Sequence, residues 1–106
     1  NMEEHYKKVT FKEAREILDT RPDCIMFDVR EEVEYNTGHA QEAELFTLAD
    51  IDEDTAAERI PSYDTPILVY CRSGHRSFEA AQKLIEYGYK EIYDIGGLIG
   101  WPYGMF

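Results

Sequence analysis

An apolar run that ends on a cysteine and passes at once into a short polar loop constrains this chain more than any other feature. Ile67-Leu68-Val69-Tyr70 leads into Cys71, and Arg72-Ser73-Gly74-His75 follows. From about Arg76 an amphipathic segment runs to Tyr87, with Ala80, Ala81, Leu84 and Ile85 on one helical face and Gly88 placed to cap it. The order is strand, tight loop, helix. It puts Cys71 at the carboxyl end of a buried strand, under a helix N-terminus. Loop amides and the helix dipole then point at any anion held there. Arg72 and Arg76 add positive charge, so the thiol is expected to have a lowered pKa and to be largely thiolate. Gly74 can take backbone angles that other residues resist, which lets the chain curl around a sulfur atom. Cys71 is the candidate catalytic residue, and Arg72, Ser73, Gly74, His75 and Arg76 are the candidate substrate-binding residues. Arginine forks suit an oxyanion. Arg76 closes the loop and serves structure or substrate. His75 tunes the thiolate, shuttles a proton or faces solvent. Ser73 and Ser77 read as loop and cap hydrogen-bonders rather than reactants.

The rest of the chain alternates strand and helix patterns. Tyr6-Lys7-Lys8-Val9 reads as a short edge strand. Thr10 is an N-cap, with Glu13 completing a capping box, and Phe11, Ala14, Ile17 and Leu18 share one helical face up to about Thr20. Cys24 to Val29 has the near-continuous apolar pattern of a strand buried on both faces. A short helix is expected from Arg30 to Asn36, broken by Gly38. Ala43 to Phe46 reads as a strand, and Asp50 to Ile60 as a helical segment with acids at its start. Glu91 to Ile95 is the last strand, and Gly96-Gly97 turns the chain toward Trp101. Tyr35, Tyr70 and Tyr93 read as core residues, and Trp101 as a packing anchor. Strands separated by helices call for an α/β fold with a mostly parallel central sheet and helices on both faces. Ligands of such sheets bind beyond the carboxyl ends of the strands, where Cys71 is placed.

The chain has 106 residues, enough for one domain over residues 1–106 with a modest core. Its net charge of −11 argues against nucleic acid and anionic membrane surfaces as partners. No run approaches the roughly 18 apolar residues of a membrane span. Asn1-Met2-Glu3-Glu4-His5 lacks the basic and apolar regions of a signal peptide, so a cytoplasmic location is expected. The two cysteines, Cys24 and Cys71, show no spacing suited to zinc, and no metal site is expected. Cys24 reads as a packing residue, with a resolving role toward Cys71 as the alternative.

Cys71 to Arg76 resembles the active-site loop of the rhodanese-like sulfurtransferases. Phe27-Asp28-Val29-Arg30, followed by Glu34-Tyr35 and Gly38-His39, resembles the family's first signature, and Gly96-Gly97 with Trp101 resembles its C-terminal one. The resemblance covers nearly the whole chain. It implies the three-layer rhodanese-like fold and sulfur transfer through a Cys71 persulfide, with no metal or organic cofactor. It gives Asp28 and Arg30 supporting roles, with Arg30 paired to Glu34, and gives His39 an architectural one. The expected substrates are a small anionic sulfur donor, thiosulfate-like or a persulfide, and a thiol or cyanide-like acceptor that includes a partner protein's thiol. Ala40-Gln41-Glu42-Ala43 departs from the signature, which continues Gly-His with an aliphatic residue and then Gly-Ala.

Two other classes compete with sulfur transfer. Cysteine-dependent phosphatases and arsenate reductases use a related loop, but phosphatase loops hold one more residue between cysteine and arginine. Here four residues intervene, and Ser77 stands at the phosphatase arginine position. The third class is a non-enzymatic sulfur carrier or partner-binding module.

Overall fold

In a computed structural model, which describes residues 2–106, five parallel strands form one sheet in the order β1-β5-β4-β2-β3. The strands are β1 (Tyr6–Lys8), β2 (Ile25–Asp28), β3 (Ala43–Leu45), β4 (Pro66–Cys71) and β5 (Glu91–Gly97). The helices are α1 (Met2–His5), α2 (Phe11–Thr20), α3 (Glu32–Thr37), α4 (Glu53–Arg59) and α5 (His75–Glu86), with a 3-10 turn over Leu48–Asp50. The sheet is wholly parallel, and β4 lies at its centre with every residue buried. Pro66 opens that strand, a position where a missing N–H is tolerated.

Side-chain alternation along the sheet builds two cores. On one face Phe27, Ile67, Val69 and Ile92 pack with Ala56 of α4 and Ala80, Ala81 and Leu84 of α5. On the other, Met26, Leu68, Tyr70 and Ile95 pack with Ala14 of α2, with Phe11, Ile17 and Leu18 alongside, and with Trp101. The Thr10–Glu13 capping box starts α2 as its sequence predicts. Asp52 caps α4 in the same reciprocal way with Thr55, so that helix begins later than the acids from Asp50 onward suggest. α1 and the 3-10 turn carry too few residues to show a period, and the sequence reading passed over both.

The segment that departs from the signature is held by the chain's last residues. Ala40 bridges to Met105, the His39 amide donates to the Phe106 carbonyl and the Gln41 amide to that of Gly104. The buried Ala40 amide donates instead to the Tyr70 hydroxyl at 3.1 Å, and that hydroxyl donates to Asp28 Oδ2 at 2.6 Å. Tyr70 therefore ties β4, β2 and this segment together just before Cys71. Tyr70→Phe strands the buried Ala40 amide and removes one donor from Asp28 Oδ2, which keeps its bonds from Arg30, and is expected to lower unfolding free energy by about 1–3 kcal/mol in urea titration. Unchanged stability would show that the hydroxyl is not structural.

Candidate active site

β4 ends on Cys71, and the chain turns directly over it. Gly74 is the N-cap of α5 and holds φ 105°, a left-handed conformation that side chains with a Cβ resist. That turn points two amides inward. Cys71 Sγ accepts from the Gly74 amide at 3.0 Å and from the Ser77 amide at 3.4 Å. Burial pushes the thiol pKa up, but hydrogen bonds from the Ser77 amide and hydroxyl and from the Gly74 and Ser73 amides outweigh it, so the net shift is downward. Of the helix terminus, loop amides and arginines that the sequence offers as causes, the loop amides are prominent here, and the Ser77 hydroxyl joins them.

β5 is shaped to admit the loop. Its register slips between Val69 and Tyr70, leaving Ile95 as an extra residue, and the Gly96 amide is held by Asp94 Oδ1 at 2.9 Å. Past this bulge Gly97 pairs with Cys71. A Cβ on Gly97 would collide with the Arg72 carbonyl, so only glycine lets the loop pass.

The charged residues sort into three groups. Arg72 is exposed at the cleft beside Cys71, and its side chain makes no hydrogen bond or ion pair with any described residue. His75 is exposed as the first residue of α5 and is likewise unpaired among the described residues. Arg76 turns toward α3 and grips Glu34 with both nitrogens, at 2.6 and 3.1 Å. Glu34 is held down at about 2, by the Arg76 guanidinium first and by the Glu31 amide next. The expected Arg30–Glu34 pair does not form. Arg30 instead holds Asp28 at 2.6–3.0 Å and donates to the Gly38 carbonyl at 2.6 Å. Asp28 is fully buried, and pairing with a forked cation two residues on is the local arrangement that satisfies its carboxylate. The Asp28–Arg30 unit thus props the end of β2 beside Tyr70 and brings Arg30 to the cleft wall.

The cleft holds about 200 Å³. Cys71, Arg30 and Arg72 form its polar side, and Leu98, Ile99, Trp101 and Met105 its apolar side. Two larger hollows, of about 390 and 400 Å³, lie along the β1–β5 edge and beyond β3, and neither contains a cysteine. Trp101 is locked edge-to-face between Phe11 and Tyr103. His39 stacks on Tyr35 at 3.6 Å, as an architectural residue would. Cys24 adjoins the opposite end of the sheet. Ile25 pairs with Ile67, so Cys24 lies about 16 Å from Cys71 along the strands at 3.3 Å per residue. A disulfide needs Cα atoms within about 7 Å, so Cys24 is not a resolving thiol for Cys71 in this fold.

Three features escaped the sequence reading. Ser77 is the cap hydrogen-bonder that the sequence predicts, its hydroxyl donating to the Gly74 carbonyl at 3.2 Å. It is also fully buried with its amide on the sulfur, a second role signalled by its place three residues past Gly74 on the inward face of α5. Glu34 carried a signal only toward Arg30. The apolar cleft wall comes from a tail with no clear period.

The architecture around Cys71 places the chain among α/β proteins that carry a low-pKa cysteine at the carboxyl end of a parallel strand. Within that class it belongs to the rhodanese-like family, whose Rhodanese-like domain model matches residues 10–102. A thiosulfate sulfurtransferase, GlpE, of Coxiella burnetii is 36% identical over 97 residues, which cover 91% of this chain and 87% of the relative. A solved rhodanese with anions from E. coli superposes with a TM-score of 0.72 at 28% identity, covering 78% of this chain and 96% of that one. The crystal structure of the Alr3790 protein from Anabaena shares the fold, with a TM-score of 0.83 at 22% identity and coverage of 92% and 90%.

The cradle predicts a measurable acidity. In a Cys24→Ser background, the pH dependence of alkylation should give Cys71 a midpoint below the ~8.5 of a free thiol. Ser77→Ala should raise that midpoint, and Gly97→Ala should raise it further by displacing the loop. A midpoint at or above the free-thiol value in the parent would contradict the cradle. Glu34 makes a separate prediction. Its pKa is lowered on folding, so the stability it contributes is present above 4.5 and fades as pH falls toward about 2. Glu34→Gln should therefore flatten the acid limb of the stability curve.

Proposed function

We propose that the chain is a sulfurtransferase that moves sulfane sulfur from a thiosulfate-like donor to a thiol through a persulfide on Cys71. The observation that carries this reading is the cradle: main-chain amides converge on a single sulfur atom, and buried Ser77 stands where a phosphatase needs its arginine. A tetrahedral phosphate needs a wider ring of donors and a cation, whereas one anionic sulfur needs only amides at short range.

The thiolate of Cys71 attacks the outer sulfur of the donor. A Cys71–sulfur bond forms, the donor's sulfur–sulfur bond breaks, and the electron pair leaves with sulfite. The terminal persulfide sulfur carries the negative charge and lies within reach of the loop amides. An acceptor thiolate then attacks that terminal sulfur, departs as a persulfide and restores the Cys71 thiolate. Negative charge never has to be neutralised by a proton, so the two half-reactions form a ping-pong cycle on one residue. Arg72, unpaired among the described residues at the cleft mouth, receives the donor's oxyanion end, and Arg30, already paired with Asp28, forms the polar cleft wall beside it. Ser73 and Gly74 contribute amides, and Arg76 fixes the first turn of α5. A free thiolate of this kind suits a reducing compartment such as the cytoplasm, and no helix among the described residues is long and apolar enough to cross a membrane.

Incubation with thiosulfate should add one sulfur atom to the protein, located on Cys71 by peptide mass spectrometry. Cys71→Ala and Cys71→Ser should lose sulfur transfer to background with melting curves intact, while Cys24→Ser keeps most of it. Transfer by Cys71→Ala at the parent's rate would end this assignment. Arg72→Ala should raise KM for thiosulfate roughly tenfold, as expected for losing one charged hydrogen bond, with a smaller effect on kcat.

A further inference from the structure

The two arginines of the loop are treated differently by the fold. Arg72 is left free at the cleft, whereas Arg76, one residue before Ser77, is claimed by both oxygens of Glu34. The carboxylate is itself fixed, because Oε1 also accepts the Glu31 amide at 3.0 Å in the capping box of α3. With side-chain exposures of 28% for Glu34 and 32% for Arg76, water screens the pair only in part. The charged groups around the sulfur are Arg72, His75 and Arg76 on the loop and α5, Arg30 with its partner Asp28 at the end of β2, and Glu34 on α3. From the sheet side, the β5 residue beside Cys71 is the uncharged Gly97. Behind Gly96, which packs on Gly74, lie the Asp94 carboxylate, holding the Gly96 amide, and the Lys8 ammonium of β1, donating to the Ile95 carbonyl. Glu34 is the one carboxylate in this set that faces the loop's cations.

We propose that Glu34 is a positioning residue that neutralises Arg76 and so sets how much positive charge the Cys71 sulfur meets. The proposal rests on Cys71 being the working thiol. Its chemical sense follows from the reaction. Added cation near the sulfur binds a dianionic donor more tightly, but it lowers the thiol pKa, and nucleophilicity falls with it. It also holds back the departing sulfite. A neutralised Arg76 can brace the first turn of α5 without adding its charge to the site, and donor binding stays with Arg72. Arg76 lies in the first turn of α5, directly before Ser77, whose amide holds the sulfur at 3.4 Å. Its guanidinium is raised by Glu34 first, with a smaller contribution from the Cys71 charge.

The test compares Glu34→Gln, Arg76→Gln and the double variant, all in the Cys24→Ser background. Glutamine keeps the shape of Glu34 and can still accept the Glu31 amide, so the fold is retained. Glu34→Gln leaves Arg76 uncompensated. Its Cys71 alkylation midpoint should fall by roughly half a pH unit, its thiosulfate KM should fall about threefold, and its kcat should drop. Arg76→Gln leaves Glu34 uncompensated, so its midpoint and KM should both rise. The double variant should return near the parent midpoint. A merely structural ion pair predicts something else: both single variants loosen the cradle, both midpoints move up together and the double variant is no closer to the parent. Single variants that shift in the same direction, midpoints that do not move, or a double variant that stays with either single one overturn the proposal. The alkylation arm needs no sulfur donor, so it stands even if the protein transfers no sulfur from thiosulfate.

Discussion

The hydrogen bonds from the Gly74 and Ser77 amides to Cys71 Sγ are what the rest of the structure serves. A buried thiol on an apolar strand would ordinarily be pushed toward its neutral form, and burial does act that way here. The amides reverse the outcome because they are preorganised. They belong to a turn whose left-handed glycine starts α5, so no reorganisation is needed when charge appears on sulfur. The charge is stabilised by the loop amides together with the Ser77 hydroxyl, while Arg30 and Arg76 are held by Asp28 and Glu34 and Arg72 is left at the cleft.

Everything around that turn can be read as support for its shape. The β5 bulge and Gly97 open a passage for the Arg72 carbonyl. The Asp28–Arg30 pair and the Tyr70 hydroxyl close the end of β2 against β4, so the strand that delivers Cys71 cannot slide. Glu34 anchors the other side of the loop through Arg76. These contacts are buried or half-buried and mutually dependent, and removing one partner leaves its neighbour's polar groups exposed to an apolar interior. The apolar tail, Leu98 to Met105, completes the cleft from the side opposite the cations.

Much of this was legible in the sequence where a local rule governs. The Thr10–Glu13 cap, the doubly buried runs at Cys24–Val29 and Ile67–Tyr70, and the strand–loop–helix order around Cys71 each depend on near neighbours. They led directly to a parallel α/β sheet with the cysteine at a strand end. What was not legible depends on residues distant in sequence. Arg30 has a carboxylate on either side, Asp28 two residues before it and Glu34 four after, and spacing alone does not choose between them or send Glu34 to the distant Arg76. The choice follows from burial: Asp28 lies fully inside and needs its partner at once, while Glu34 is half-exposed and can reach across 42 positions to α5. The pairing of Met105 with Ala40 was likewise invisible, since an isolated bridge has no period.

The central claim is that this cradle holds a sulfur anion. Anomalous sulfur scattering from crystals soaked in thiosulfate tests it most directly. The account predicts one additional sulfur bonded to Cys71 Sγ, lying within hydrogen-bonding distance of the loop amides from Ser73 to Ser77, with Cys24 unmodified. Extra sulfur on Cys24 alone, or a Cys71 persulfide pointing away from those amides into the apolar wall, would contradict it.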